Sequence, residues 1–178
     1  MRNLPLIDPA TAAAPASELL AAVQANLGVT PNMTKAMANS PALLKGYLEL
    51  SGALSHGVLP AATRERIALT VAQSNACDYC LSAHTYLAEH VAHLDADDIT
   101  AARKAEAADP KTAAILALAV EVNDQRGAVD DATVDSARSA GATDEEIAET
   151  IGHVALNVLT NYFNKAAAVD IDFPLITA

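Results

Sequence analysis

The chain has few aromatic residues and almost no sulfur. Of its 178 residues 3% are aromatic, tryptophan is absent and cysteine occurs twice. Basic clusters are also missing: 11 Lys and Arg against 22 Asp and Glu give a net charge of -11. A nucleic-acid binder needs a basic face to meet phosphates, and an anionic membrane surface needs the same, so neither is an expected partner. No stretch approaches the ~18 apolar residues of a transmembrane helix. The start, Met1-Arg2-Asn3-Leu4-Pro5, lacks the apolar run of a signal peptide. Strand signals are sparse, because Val, Ile, Thr and aromatics rarely alternate with period two. What is abundant is small apolar surface: 52% of the residues are hydrophobic, many of them alanine. Small side chains let helices approach closely but bury little area each, so subunit contacts are expected to supply part of the stability.

The length fits one domain. Residues 1–16 read as an extended arm, since Pro5, Pro9 and Pro15 oppose a helix. Residues 17–178 read as a single all-α domain. Ser17 is expected to cap a helix running to about Asn26, stopped by Gly28. Pro31 opens a short helix, and Ser40-Pro41 starts another that ends near Gly57. Ile67 to Ala72 form an apolar, buried helix, with a break at Asn75-Ala76. A further helix runs from Cys77 to about Ala92. Asp95, Asp109-Pro110 (to Gly127) and Asp130 (to Gly141) start three more. Thr143 and Glu146 form a capping box for a last long helix, roughly Asp144 to Ala167, before an irregular tail around Pro174.

A weak internal repeat runs through this pattern. Thr63-Arg64-Glu65-Arg66-Ile67-Ala68 aligns with Thr143-Asp144-Glu145-Glu146-Ile147-Ala148 at a constant offset. Cys77 then meets Asn157, Cys80 meets Thr160 and His84 meets Asn164. Two helix pairs about a pseudo-twofold are expected, with thiols kept only in the first.

The chemistry concentrates between Glu65 and His84. Cys77 and Cys80 are two residues apart, close enough to form a disulfide with little backbone movement. With no export signal, such a pair reads as redox-active in a reducing cytoplasm. The dipole of a helix opening at Cys77 favours thiolate there. His84, four residues after Cys80 on the same helical face, favours thiolate at Cys80 instead. The residues themselves leave open which sulfur attacks. Glu65 sits in an apolar helix; partly buried, it is a usable proton acceptor and donor. Its alternatives are a helix-terminus role or pairing with Arg64 or Arg66. Zinc held by Cys77, Cys80 and His84, with His90, His93 or His153 as a fourth ligand, is a weaker reading, because a second paired motif is missing. His90 and His93 read as solvated or core side chains; His153 reads as ordinary packing or interface, the alternative being that it faces the site across the pseudo-twofold. Asn157, Asn161 and Asn164 form a polar stripe on an apolar helix, which suggests an interface or the edge of a site.

Glu65, Cys77-Asp78-Tyr79-Cys80 and His84 together resemble the signature of the AhpD-like alkylhydroperoxidases, within the carboxymuconolactone decarboxylase family. The resemblance implies an AhpD-like helical domain assembled as a homotrimer or homohexamer. It implies that Cys80 is the peroxidatic thiol, Cys77 the resolving thiol, and Glu65 with His84 the proton relay, with neither metal nor cofactor. In the best-described members of that group a second histidine lies between the cysteines; here Tyr79 takes that position. The implied activity is reduction of a peroxide through a dithiol–disulfide cycle, closed by an external dithiol reductant. Two other functions fit the residues. One is a dithiol–disulfide oxidoreductase or redox sensor; the other is a non-enzymatic helical oligomer or metal-binding protein.

Overall fold

The computed structural model describes residues 3–178, so the first two positions of the expected arm lie outside it. Among the described residues there are nine helices and no strand. These are α1 (Ala16–Leu27), α2 (Asn32–Met37), α3 (Pro41–Ser55), α4 (Ala61–Ser74), α5 (Asp78–His90), α6 (Ala96–Arg103), α7 (Pro110–Asp124), α8 (Asp131–Ser139) and α9 (Asp144–Ala167). None is long and apolar enough to cross a membrane.

Local chemistry sets most of the helix starts. Ser40, Asp95, Asp109 and Asp130 each accept a backbone N–H of the first turn they precede, relieving donors that a helix start leaves unpaired. At α9 the capping box is complete: Glu146 N donates to Thr143 Oγ1 at 3.1 Å, and Thr143 N to Glu146 Oε2 at 2.8 Å. One expected cap is corrected. Pro15 holds the N-cap position of α1, and Ser17 falls inside the first turn, where its N–H donates to Ala13 O. Three helices also stop earlier than expected, α5 at His90, α7 at Asp124 and α8 at Ser139. Left-handed residues follow each: His93, Arg126 with Gly127, and Gly141.

α4 is the central element. It touches α5, α6, α7 and α9 and buries side chains around its whole circumference, as a helix enclosed by others must. Leu69 and Ala72 pack with Cys80, Leu81 and Leu94. Ile67 and Val71 pack on the opposite side with Ile115, Leu116, Leu118 and Val154. A third cluster, around Leu20, Met37 and Leu44, joins α1 and α3 to the body.

The repeat holds in its first copy and fails in its second. α4 and α5 are a helix pair, separated because Asn75 ends α4 and Ala76 adopts φ 47°. The aligned stretch Ala155-Leu156-Asn157 continues unbroken inside α9. Ala and Leu are among the strongest helix formers. Asn75 is a poor one, and its amide instead donates to Asn123 Oδ1 and Asn161 Oδ1.

The described part of the arm and the C-terminal tail are both tied down. In the arm, Asn3 N donates to Ala167 O, and Pro5 O accepts from Asn39 Nδ2. The tail runs back along α5. Ile176 N donates to Ser82 Oγ at 2.9 Å, Ala178 N to Asp78 Oδ1 at 3.0 Å, and Arg103 Nη2 to Thr177 O at 2.7 Å.

Candidate active site

The break at Asn75-Ala76 makes Cys77 the N-cap of α5, and its sulfur accepts the Cys80 N–H at 3.4 Å. Cys80 lies in the first turn of that helix. The two are joined as a disulfide with Cα atoms 5.3 Å apart. Both sulfur residues are buried, at 1% and 3% exposure. One turn further along, His84 Nδ1 meets Glu65 Oε2 of α4 at 2.8 Å. A carboxylate on Nδ1 orients the ring and leaves Nε2 as the nitrogen available for proton transfer. The His84 and Glu65 side chains stay 24% and 20% accessible. The competing roles for Glu65 fall away: Arg64 donates to Leu59 O at 2.6 Å, and Arg66 pairs with Asp98 at 3.0 Å.

Glu65 and His84 open onto a cavity of about 190 Å³, which Tyr47, His153, Asn157 and Thr160 also line. The cysteines are not part of its wall. A hollow of about 290 Å³ between Leu94, Ile99, Arg103 and Ile176 contains none of the predicted residues.

His153 is packed, as expected, and also takes its alternative place at the site. It faces the Glu65–His84 cavity from α9, with Nε2 buried and without a hydrogen-bond partner. Burial pushes its pKa below the ordinary 6.5, and the charge of Arg64 adds to this; Glu149 and Glu65 oppose it. Between the lowered native value and 6.5 the folded protein keeps the ring neutral while the unfolded chain binds the proton. Stability contributed here is complete above pH 6.5 and is lost as the pH falls through the lowered native value. The His153→Leu variant is expected to flatten the loss of denaturant stability below that pH. Parallel pH–stability curves for the two proteins would contradict the assignment.

Tyr79 is not a substitute relay. Its hydroxyl donates to Asp172 Oδ1 at 2.9 Å and accepts from Met33 N at 3.1 Å. Burial, reinforced by the Asp172 charge, raises its pKa far above the ordinary tyrosine range, so it keeps its proton. Asp172 Oδ2 also accepts Asn32 N at 2.7 Å, at the start of α2. Tyr79 thus fastens the tail and α2 to the first turn of α5, and Phe173 packs edge-on against its ring at 5.9 Å.

The zinc ligands do not converge. His84 gives Nδ1 to Glu65, and His90 stacks on Tyr86 at 4.1 Å. His93 is exposed, and no group of three or more His, Cys, Asp or Glu among the described residues could hold a metal ion. The asparagine stripe separates by role. Asn157 borders the cavity, and Asn161 is fully buried and accepts from Asn75. Asn164 reaches Cys80, its Nδ2 lying 3.4 Å from Sγ. Tyr47, on a helix outside the motif, left no signal in the sequence. Asn164 left a partial one, through the stripe and the repeat register.

Residues 41–121, from α3 into α7 and including all four motif residues, match the carboxymuconolactone decarboxylase family. No curated protein matches the chain. The fold is that of the AhpD core. An uncharacterized peroxidase-related protein from Ralstonia eutropha JMP134, described as an alkylhydroperoxidase AhpD core, is 23% identical with a TM-score of 0.84. The alignment covers 96% of this chain and 92% of that one. A peroxidase-related protein from Silicibacter sp. TM1040 is 23% identical at TM-score 0.80, over 94% and 89% of the two chains. The debrominase Bmp8, as a cysteine-to-alanine variant in complex with 2,3,4-tribromopyrrole, is 22% identical at TM-score 0.78, over 96% and 91%. Proteins that share the fold thus include a debrominase and two peroxidase-related proteins.

Proposed function

We propose that the chain is a thiol-dependent peroxidase acting on small hydroperoxides. The observation that carries this is a cysteine pair one helical turn from a hydrogen-bonded Glu65–His84 pair at the wall of a cavity. In the reduced protein the Cys80 thiolate attacks the peroxide. An S–O bond forms as the O–O bond breaks, and His84, backed by Glu65, protonates the departing alkoxide or hydroxide. Cys80 is then a sulfenic acid. The Cys77 sulfur attacks Cys80 Sγ, the disulfide forms and water leaves. An external dithiol restores both thiols by exchange. Tyr79 takes no part in proton transfer, so the relay has two members.

The cavity of about 190 Å³ at Glu65 and His84 has room for a small substituent, with the peroxide group reaching past its wall to Cys80. We also propose assembly as a homotrimer or homohexamer and a cytoplasmic location; for the assembly, α3 fully buries only Leu44 and leaves Leu50 41% exposed.

The test is stopped-flow reaction of pre-reduced protein with an organic hydroperoxide, following free thiols. Fast loss of two thiols per chain is the expected result. Loss no faster than that of free cysteine, with faster exchange against disulfides, would replace this reading by the dithiol-oxidoreductase one.

A further inference from the structure

Each sulfur of the pair meets a different donor. Cys77 Sγ takes the Cys80 backbone N–H. Cys80 Sγ takes the side-chain amide of Asn164, from α9, at 3.4 Å. Asn164 is 3% exposed, and its Nδ2 also lies 3.3 Å from Met33 Sδ. Its Oδ1 is buried without a partner. A leucine would fill this volume with no unsatisfied oxygen, so packing alone does not explain an asparagine here.

The sulfur chemistry explains it. A disulfide sulfur accepts a hydrogen bond weakly, whereas a thiolate is a charged acceptor and strengthens the same contact. The contact therefore favours the reduced, ionised Cys80 over both the disulfide and the neutral thiol. It also offsets the helix dipole, which acts first on Cys77. We propose that Asn164 is a catalytic residue whose amide holds the Cys80 thiolate, lowering that thiol's pKa and raising the reduction potential of the Cys77–Cys80 pair. This rests on Cys80 being the attacking sulfur. The electrons for reduction come from the external dithiol; each disulfide takes two, and Cys80 is released as thiolate rather than thiol.

Two readouts need no peroxide. In a Cys77→Ser background, thiolate absorbance against pH reports Cys80 alone. Asn164→Leu is expected to raise its pKa by about one unit, a tenfold drop in thiolate at pH values below it. With both cysteines present, equilibration with a glutathione redox buffer should show the disulfide about tenfold harder to reduce, roughly 30 mV more negative. Should Asn164→Leu fold poorly, the Asn164 side-chain amide resonances of the Cys77→Ser protein are expected to move with the Cys80 titration. An unchanged or lowered pKa with an unchanged potential overturns the proposal, as do amide resonances that ignore the titration. Because neither readout consumes peroxide, a protein inert to peroxides still tests Asn164. An active peroxidase with unshifted values removes Asn164 and leaves the peroxidase reading intact.

Discussion

Cys80→Ser is expected to reduce peroxide consumption to the uncatalysed background, while Cys77→Ser consumes one equivalent and stops. The asymmetry follows from what each sulfur does. Attack on an O–O bond needs a polarisable anion, and a serine hydroxyl at position 80 is neither ionised at neutral pH nor a soft nucleophile. Replacing Cys77 leaves the attack intact and removes only the sulfur that condenses with the sulfenic acid. That acid would form at a site only 3% exposed, sheltered from bulky thiols, so a small sulfenic-acid-selective label should trap it on Cys80 in mass spectrometry. The reverse pattern, with the label on Cys77 in the Cys80→Ser protein, would mean that the helix N-terminus and not His84 selects the attacking sulfur. Equal single-turnover consumption by both variants would remove the division of roles altogether.

The features legible in the sequence are those governed by short spacing. Ser40, Asp95, Asp109, Asp130 and Thr143 act within a turn of themselves, so composition and order suffice to place them. The Cys77–Cys80 and Cys80–His84 relations are likewise local to one helix. Glu65 to His84 spans two helices but remains inside one motif, and their hydrogen bond follows from that motif. What could not be read arrives from elsewhere in the chain. Tyr47 comes from α3, His153 and Asn164 from α9, and Asp172 from the tail. Each is positioned by tertiary packing, which periodicity does not encode at the level of a single contact. The repeat register aligned Asn164 with His84, yet the amide meets Cys80, because an unbroken α9 cannot retrace the bend between α4 and α5.

The Glu65–His84 pair yields the second large effect. Glu65→Gln is expected to slow single-turnover thiol oxidation about 100-fold, within the range for removing a general acid–base group. Glutamine can still accept the Nδ1 proton, so the ring keeps its orientation; the lost element is the negative charge that stabilises an imidazolium. His84→Gln is expected to cost at least as much. The double variant should cost little more than His84→Gln alone, since Glu65 acts through the imidazole and the two effects do not add. The choice of oxidant sharpens the test. An alkyl hydroperoxide expels an alkoxide, which needs a proton as the O–O bond breaks. A peracid expels a carboxylate, which does not. The Glu65→Gln defect should therefore shrink to a few-fold with a peracid while persisting with alkyl hydroperoxides. A defect of the same size with both oxidants would mean that Glu65 maintains the site's structure rather than delivering the proton.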